Sequence, residues 1–151
     1  MNLQISRVSE ISVSYYPAIS NKPTITKSKD AYEVFKEFFP ENTIQLQERF
    51  VVMYLNRCNR VIGMYPISLG GITGTVADIR LILSVALKVV ATSIMLAHNH
   101  PSGSLKPSKP DIELTSKIKE AAKYMDITLM DHLILSPEEG EYLSFADEAL
   151  L

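Results

Sequence analysis

The chain has 151 residues, 46% of them hydrophobic and 21% charged, which fits one packed domain and not a disordered protein. A net charge of −2 and a pI near 5.9 give the whole chain no electrostatic attraction to nucleic acid or to an anionic membrane. Cys58 is the single cysteine, which excludes an internal disulfide and is typical of a reducing compartment. No signal-peptide pattern begins the sequence, and Arg80 and Lys88 interrupt the apolar run 79–97, so we expect a cytoplasmic protein without a membrane span.

Residues 1–27 carry the weakest structural pattern. Ile11, Val13 and Tyr15 alternate with their neighbours as in a strand, and Pro17 and Pro23 then interrupt the alternation. We therefore expect residues 1–27 to form an edge strand or an N-terminal extension, ahead of one domain over residues 28–151.

From residue 28 onwards, helical and strand patterns alternate. The spacing of apolar residues predicts helices over 28–39, 78–90 and 109–125, with Ser28 as the N-cap of the first and Asp78 at the start of the second. The predicted strands are 49–56, 61–69, 94–97, 128–135 and a short one from residue 142. The first two of these form a hairpin, the first is apolar enough to be buried on both faces, and glycines 70, 71 and 74 predict a flexible loop. This alternation predicts an α/β fold with a mixed β-sheet flanked by helices.

Two histidines, His98 and His100, directly follow the third of these strands and continue its extended pattern. Side chains alternate faces along a strand, so both imidazoles point to one face while Asn99 points to the other. The turn residues 101–103 can fold the chain back over that face. Two imidazoles on one face can share a metal ion.

Asp111 lies in the first turn of the helix predicted to follow. Two histidines and one carboxylate would leave the fourth tetrahedral position open for water, which is the arrangement of a catalytic zinc site. A simpler interpretation needs no metal, because Ser108 and Asp111 also have the spacing of a capping box. A histidine pair two residues apart can likewise be an ordinary polar strand end, and the two interpretations can coexist.

The residues HNH at 98–100 and SKPD at 108–111 resemble the H-x-H-(x7)-S-x-x-D signature of the JAMM (JAB/MPN-type) metalloproteases. The longer string HNHPSG, together with Thr115 and the pair at 131–132, is similar to the RadC branch of that superfamily. The resemblance extends from about residue 28 to the C-terminus. It implies the JAB/MPN fold, which is related to the cytidine deaminase fold.

The resemblance also implies roles for particular residues. His98, His100 and Asp111 would bind Zn²⁺, and Glu48 occupies the place of the upstream glutamate that acts as general base. Ser108 would donate a hydrogen bond to the oxyanion. The implied activity is hydrolysis of an amide bond, peptide or isopeptide, in a peptide or protein substrate by metal-activated water.

Three other functions compete with this one. A zinc nucleobase deaminase would show H-x-E and P-C-x-x-C, which are absent, and the residues that name HNH nucleases are dispersed rather than adjacent. The third is a DNA-repair-associated or interaction module of RadC type without peptidase activity. Larger RadC proteins carry a helix-hairpin-helix segment upstream, for which we expect no room here, so autonomous DNA binding is in doubt. The remaining histidine, His132, is predicted to support the structure or the ligands rather than to bind metal.

Overall fold

The protein, described by a computed structural model over residues 8–17, 21–70 and 76–151, is built on a β-sheet. Its strands in the described ranges are β1 Arg49–Leu55, β2 Val61–Leu69, β3 Ser93–Asn99, β4 Thr128–Leu135 and β5 Tyr142–Ser144. The helices are α1 Ser28–Phe35, α2 Ile79–Lys88 and α3 Lys109–Tyr124, and a 3₁₀ turn, Lys36–Phe38, follows α1.

The five strands lie in the order β2-β1-β3-β4-β5. β1 is antiparallel to both β2 and β3, and β5 is antiparallel to β4. β3 and β4 are parallel, and α3 connects them as a crossover helix. The mixed sheet flanked by helices confirms the predicted α/β architecture.

Helices cover both faces of the sheet, which explains why the central strands are apolar almost throughout. Residues Phe50 to Leu55 of β1 are all buried, as predicted from their composition. Alternate residues contribute to two separate cores. The α1-side core includes Val51, Met53, Ala97, Leu133, Phe35 and Phe39. The core beneath α2 and α3 includes Phe50, Val52, Leu96, Ile82, Ala86, Ile118 and Ala122. His98 extends the second row of side chains and so lies on the α2/α3 side of the sheet.

The N-terminal part differs from the predictions in two details. Residues 8–17 contain no strand, and Ile11 is 87% exposed, so the structure shows no edge strand there, and the alternative of an N-terminal extension stays a prediction. An isolated bridge joins Thr24 to Arg60 instead. Ser28 is the first helical residue rather than the N-cap, since Asp30 accepts the backbone N–H groups of Thr26 and Lys27.

The remaining boundaries agree closely with the predictions. Asp78 caps α2 by accepting from the backbone N–H of Arg80, and Ser108 caps α3. The helix predicted to reach residue 39 changes to 3₁₀ geometry at Lys36, and the β3 strand is longer than predicted. The predicted flexible loop at glycines 71 and 74 falls outside the described residues. None of the helices in the described ranges combines the length and the apolarity needed to cross a bilayer.

Candidate metal centre

β3 and the turn after it hold the two histidines. His98 is 2% exposed and pairs across the sheet with Phe50. The backbone N–H of His100 donates to the carbonyl of Leu135 over 3.0 Å, which continues the β3–β4 ladder by one residue. Gly103 then donates to the carbonyl of His100 over 2.9 Å and has φ +81°, a conformation that favours glycine. This tight turn directs the chain towards α3.

The α3 N-terminus brings Asp111 to the histidines. The Asp111 Oδ2 atom accepts from the backbone N–H of Ser108 over 2.7 Å, and the Ser108 hydroxyl accepts from the backbone N–H of Asp111 over 3.1 Å. The capping box expected from the spacing is therefore present. It orients the Asp111 carboxylate rather than competing with a metal site.

Side-chain atoms of three potential ligand residues converge at this point. His98 Nε2 lies 3.0 Å from His100 Nε2 and 3.3 Å from Asp111 Oδ1, and His100 Nε2 lies 3.4 Å from Asp111 Oδ2. Ligands at Zn–N distances of about 2.0–2.1 Å and tetrahedral angles would be separated by about 3.3 Å. Each of these three distances is thus close to the separation of two ligands on a tetrahedral zinc ion, with Asp111 facing His98 through Oδ1 and His100 through Oδ2.

The chemistry of the donors also fits a metal. His100 Nδ1 lies 2.7 Å from the backbone carbonyl oxygen of Ser104, which can only accept, so Nδ1 carries the proton. In the neutral ring Nε2 then has a free lone pair directed at Asp111 and His98. Neutral imidazole nitrogen and carboxylate oxygen are ligands that suit zinc.

The ionisation of the cluster follows from its geometry. Burial alone would raise the pKa of Asp111, but hydrogen bonds from His100 and His98 outweigh burial and hold the pKa of this carboxyl far below its ordinary range. The hydrogen bond with Asp111 raises the pKa of His100. The carboxylate of Asp111 thus favours the protonated form of His100.

Glu48 lies next to the cluster, directly before β1. Phe50 pairs with His98 in the antiparallel register, and continuation of that register places Glu48 beside His100. In agreement, the charge of Glu48 contributes to raising the pKa of His100. The backbone carbonyl of Glu48 accepts from Gly70 over 2.8 Å, and its side chain is half-buried. Glu48 is thus close to the cluster of His98, His100 and Asp111 without being one of its three converging residues.

Asn99 holds the segment that carries Glu48. Its Oδ1 atom accepts from the backbone N–H of Arg49 over 2.7 Å, and its Nδ2 atom donates to the carbonyls of Ile44 and Gln47 over 2.8 Å each. Sequence reasoning noted only that Asn99 points away from the histidines. The available signal was an amide side chain within a strand that is otherwise apolar, since such a group must find buried partners.

His132 lies behind His98 rather than among the converging atoms. It is fully buried, and its Nε2 atom is 2.7 Å from His98 Nδ1. Burial lowers the pKa of His132 well below its ordinary value, so its ring is neutral. The adjacent Asp131 accepts from the Ser144 hydroxyl over 2.6 Å and from the backbone N–H of Ala146 over 3.0 Å. The pair at 131–132 thus connects the cluster to the C-terminal segment.

Comparison with known proteins places the chain in a family. The RadC-like JAB domain matches residues 25–150. A UPF0758 protein of Flavobacterium johnsoniae is 43% identical over 126 residues, which cover 83% of this chain and 53% of the relative. A UPF0758 protein of Porphyromonas gingivalis is 42% identical over 130 residues, covering 86% of this chain and 56% of the relative. The chain spans about half the length of these relatives. With this match along most of its length, the chain belongs to the RadC-like JAB domain family.

Proposed function

We propose that the protein is a zinc-dependent hydrolase of JAMM type that cleaves an amide bond in a peptide or protein. The observation that carries the proposal is the convergence of His98 Nε2, His100 Nε2 and a carboxylate oxygen of Asp111 within 4.8 Å of one another. The capping box and the Ser104 carbonyl orient two of these residues for this purpose. Membership of a JAB-domain family supports the same chemistry.

These three residues would hold the metal and leave a fourth position for water. A bound zinc ion supplies Lewis acidity, which lowers the pKa of that water towards ~7 and polarises the scissile carbonyl.

Glu48 and Ser108 would move protons and stabilise charge around the reacting bond. The Glu48 carboxylate accepts the proton of the water as the oxygen attacks the amide carbon, and then gives a proton to the nitrogen as the C–N bond breaks. The Ser108 hydroxyl oxygen accepts from the backbone N–H of Asp111. Its own proton can therefore be donated to the oxyanion. The products are a carboxylic acid and an amine.

Metal content tests the proposed site directly. We expect about one zinc per wild-type chain by atomic emission, and a loss of at least about tenfold in zinc affinity in His100→Ala and in Asp111→Asn. Asparagine at 111 can still accept from Ser108, so the second variant keeps the cap while removing the charged ligand. Glu113→Gln, an exposed acid on the same helix, is the matched control and should keep its zinc.

A Cys58→Ser background removes the exposed thiol as a competing metal ligand. Wild type that folds and stays metal-free after zinc is supplied would overturn the hydrolase proposal in favour of an interaction module. If zinc binds, peptide and isopeptide substrates are then screened for cleavage, with the chelated protein as blank.

Zinc affinity should depend on pH in a defined direction. Hydrogen bonding to Asp111 raises the pKa of His100, so the metal must displace a proton from this ring below that pKa. We expect the zinc dissociation constant to increase about tenfold per pH unit below the pKa of His100 and to level off above it. Competition with a chromophoric chelator at a series of pH values measures it. A constant affinity between about pH 5 and 8 would contradict the expected proton displacement.

A further inference from the structure

A chain of short hydrogen bonds runs through the protein interior from the side chain of His98 to the backbone carbonyl of Asp111. His98 Nδ1 lies 2.7 Å from His132 Nε2, and His132 Nδ1 lies 2.6 Å from Thr115 Oγ1. The Thr115 hydroxyl in turn lies 2.6 Å from the backbone carbonyl oxygen of Asp111. We call the side chains of His98, His132 and Thr115 the relay.

The last acceptor sets the direction of every bond in the relay. The Asp111 carbonyl can only accept, so the single hydroxyl proton of Thr115 points to it. Thr115 must then accept from His132, which places the proton of His132 on Nδ1. His132 Nε2 is left as an acceptor, so His98 donates from Nδ1. In the neutral form of His98, which metal binding requires, the remaining nitrogen Nε2 therefore presents its lone pair to the cluster.

The surroundings hold the rings in this arrangement. Phe145 stacks on His132 with ring centroids 4.7 Å apart, and Phe50 contacts the same ring edge-to-face at 5.6 Å. Phe50 is also parallel to His98, at 6.0 Å. His98, His132 and Thr115 are all at most 2% exposed. Packing therefore restricts ring rotation, and bulk water does not reach the relay to supply alternative partners.

We propose that His132 and Thr115 are positioning residues that keep His98 in the Nδ1-protonated tautomer, with Nε2 free for metal. Neither residue touches the metal or the substrate. Any effect of these two residues on catalysis rests on the proposed hydrolase function, whereas the tautomer of His98 does not depend on that function. Because the relay ends on the backbone of Asp111, it also connects the orientation of the His98 ring to the first turn of α3, which carries Asp111.

The direct test uses the unsubstituted protein. Two-dimensional ¹H–¹⁵N NMR correlation of the imidazole rings identifies which nitrogen of His132 carries hydrogen, in the zinc-loaded and in the chelated protein. We expect Nδ1–H in both forms. The reverse tautomer, Nε2–H, would mean that Thr115 donates to His132 and that His98 Nδ1 accepts, and it would overturn the proposal whether or not zinc binds.

A pair of conservative variants tests the consequence for metal binding. Thr115→Val keeps the shape but removes the acceptor of the His132 proton, and we expect zinc binding about 10- to 100-fold weaker than in wild type. Thr115→Ser restores the hydroxyl and should recover zinc affinity to within about threefold. Equal affinities of the folded valine and serine variants would show that the hydroxyl does not position the ligand and would contradict the proposal.

The two proposals can fail separately. Wild type that binds no zinc overturns the hydrolase function, and the tautomer of His132 in that same metal-free protein still decides the relay. Conversely, zinc-binding protein with His132 protonated on Nε2 keeps the metal site and removes the positioning role. Circular dichroism and thermal unfolding of each variant show whether a loss of affinity reflects unfolding instead.

Discussion

Replacing Glu48 with glutamine is expected to lower kcat by about 10²- to 10⁴-fold while zinc remains bound. Glutamine has nearly the same shape but cannot accept the proton of the attacking water at neutral pH. Glu48 adjoins the cluster through the β1–β3 register and is not among the three converging residues, so metal content should be unchanged. Steady-state kinetics on a substrate that wild type cleaves gives the measurement.

Glu41→Gln is the matched control, since Glu41 is an exposed acid in the segment that leads to β1. It should leave kcat unchanged. A second measurement needs no substrate. Glu48→Gln removes a negative charge beside His100 and should lower the pKa of His100 in the chelated protein, which an NMR titration measures. Unchanged kcat in a zinc-bound Glu48→Gln protein would exclude Glu48 as the general base. An unchanged pKa of His100 in this variant would contradict the position of Glu48 beside the His100 ring.

Replacing Asn99 with alanine is expected to destabilise the protein by about 2–5 kcal/mol. The side chain is fully buried and makes three hydrogen bonds to backbone groups, two in the segment before β1 and one at the first residue of β1. Each bond contributes about 1 kcal/mol net, and backbone groups left without a partner add a further cost. This is a large part of the total stability of a domain this size. Urea unfolding of chelated protein measures the change.

Asn99→Asp separates hydrogen bonding from packing. Aspartate has the same shape, but its carboxylate would face the carbonyl oxygens of Ile44 and Gln47, so we expect it to be at least as destabilising as alanine. Asn42→Ala, at an exposed position in the same segment, should change the unfolding free energy little. An Asn99→Asp protein as stable as wild type would show that the amide donors do not hold this segment.

Local patterns were sufficient for several features of the site. Strand alternation placed His98 and His100 on one face, because successive side chains of a strand point to opposite sides. The spacing of Ser108 and Asp111 predicted the capping box, because an N-cap contacts the third residue of its own helix. The near-continuous apolar composition of β1 predicted burial on both faces. Each of these depends on residues close together in the chain.

Other features depended on which strands become neighbours. The alternating pattern at residues 11–16 formed no strand, because alternation provides a pattern and not a pairing partner. The position of Glu48 beside His100 depends on the β1–β3 register, and that of His132 behind His98 depends on the parallel pairing of β3 with β4 across α3. Sequence by itself thus determined the types of the proposed ligands, their shared face and the helix cap, since these are local. Only the tertiary structure decided how Glu48, the relay and the Asn99 contacts surround the proposed ligands, because these contacts join residues up to 55 positions apart.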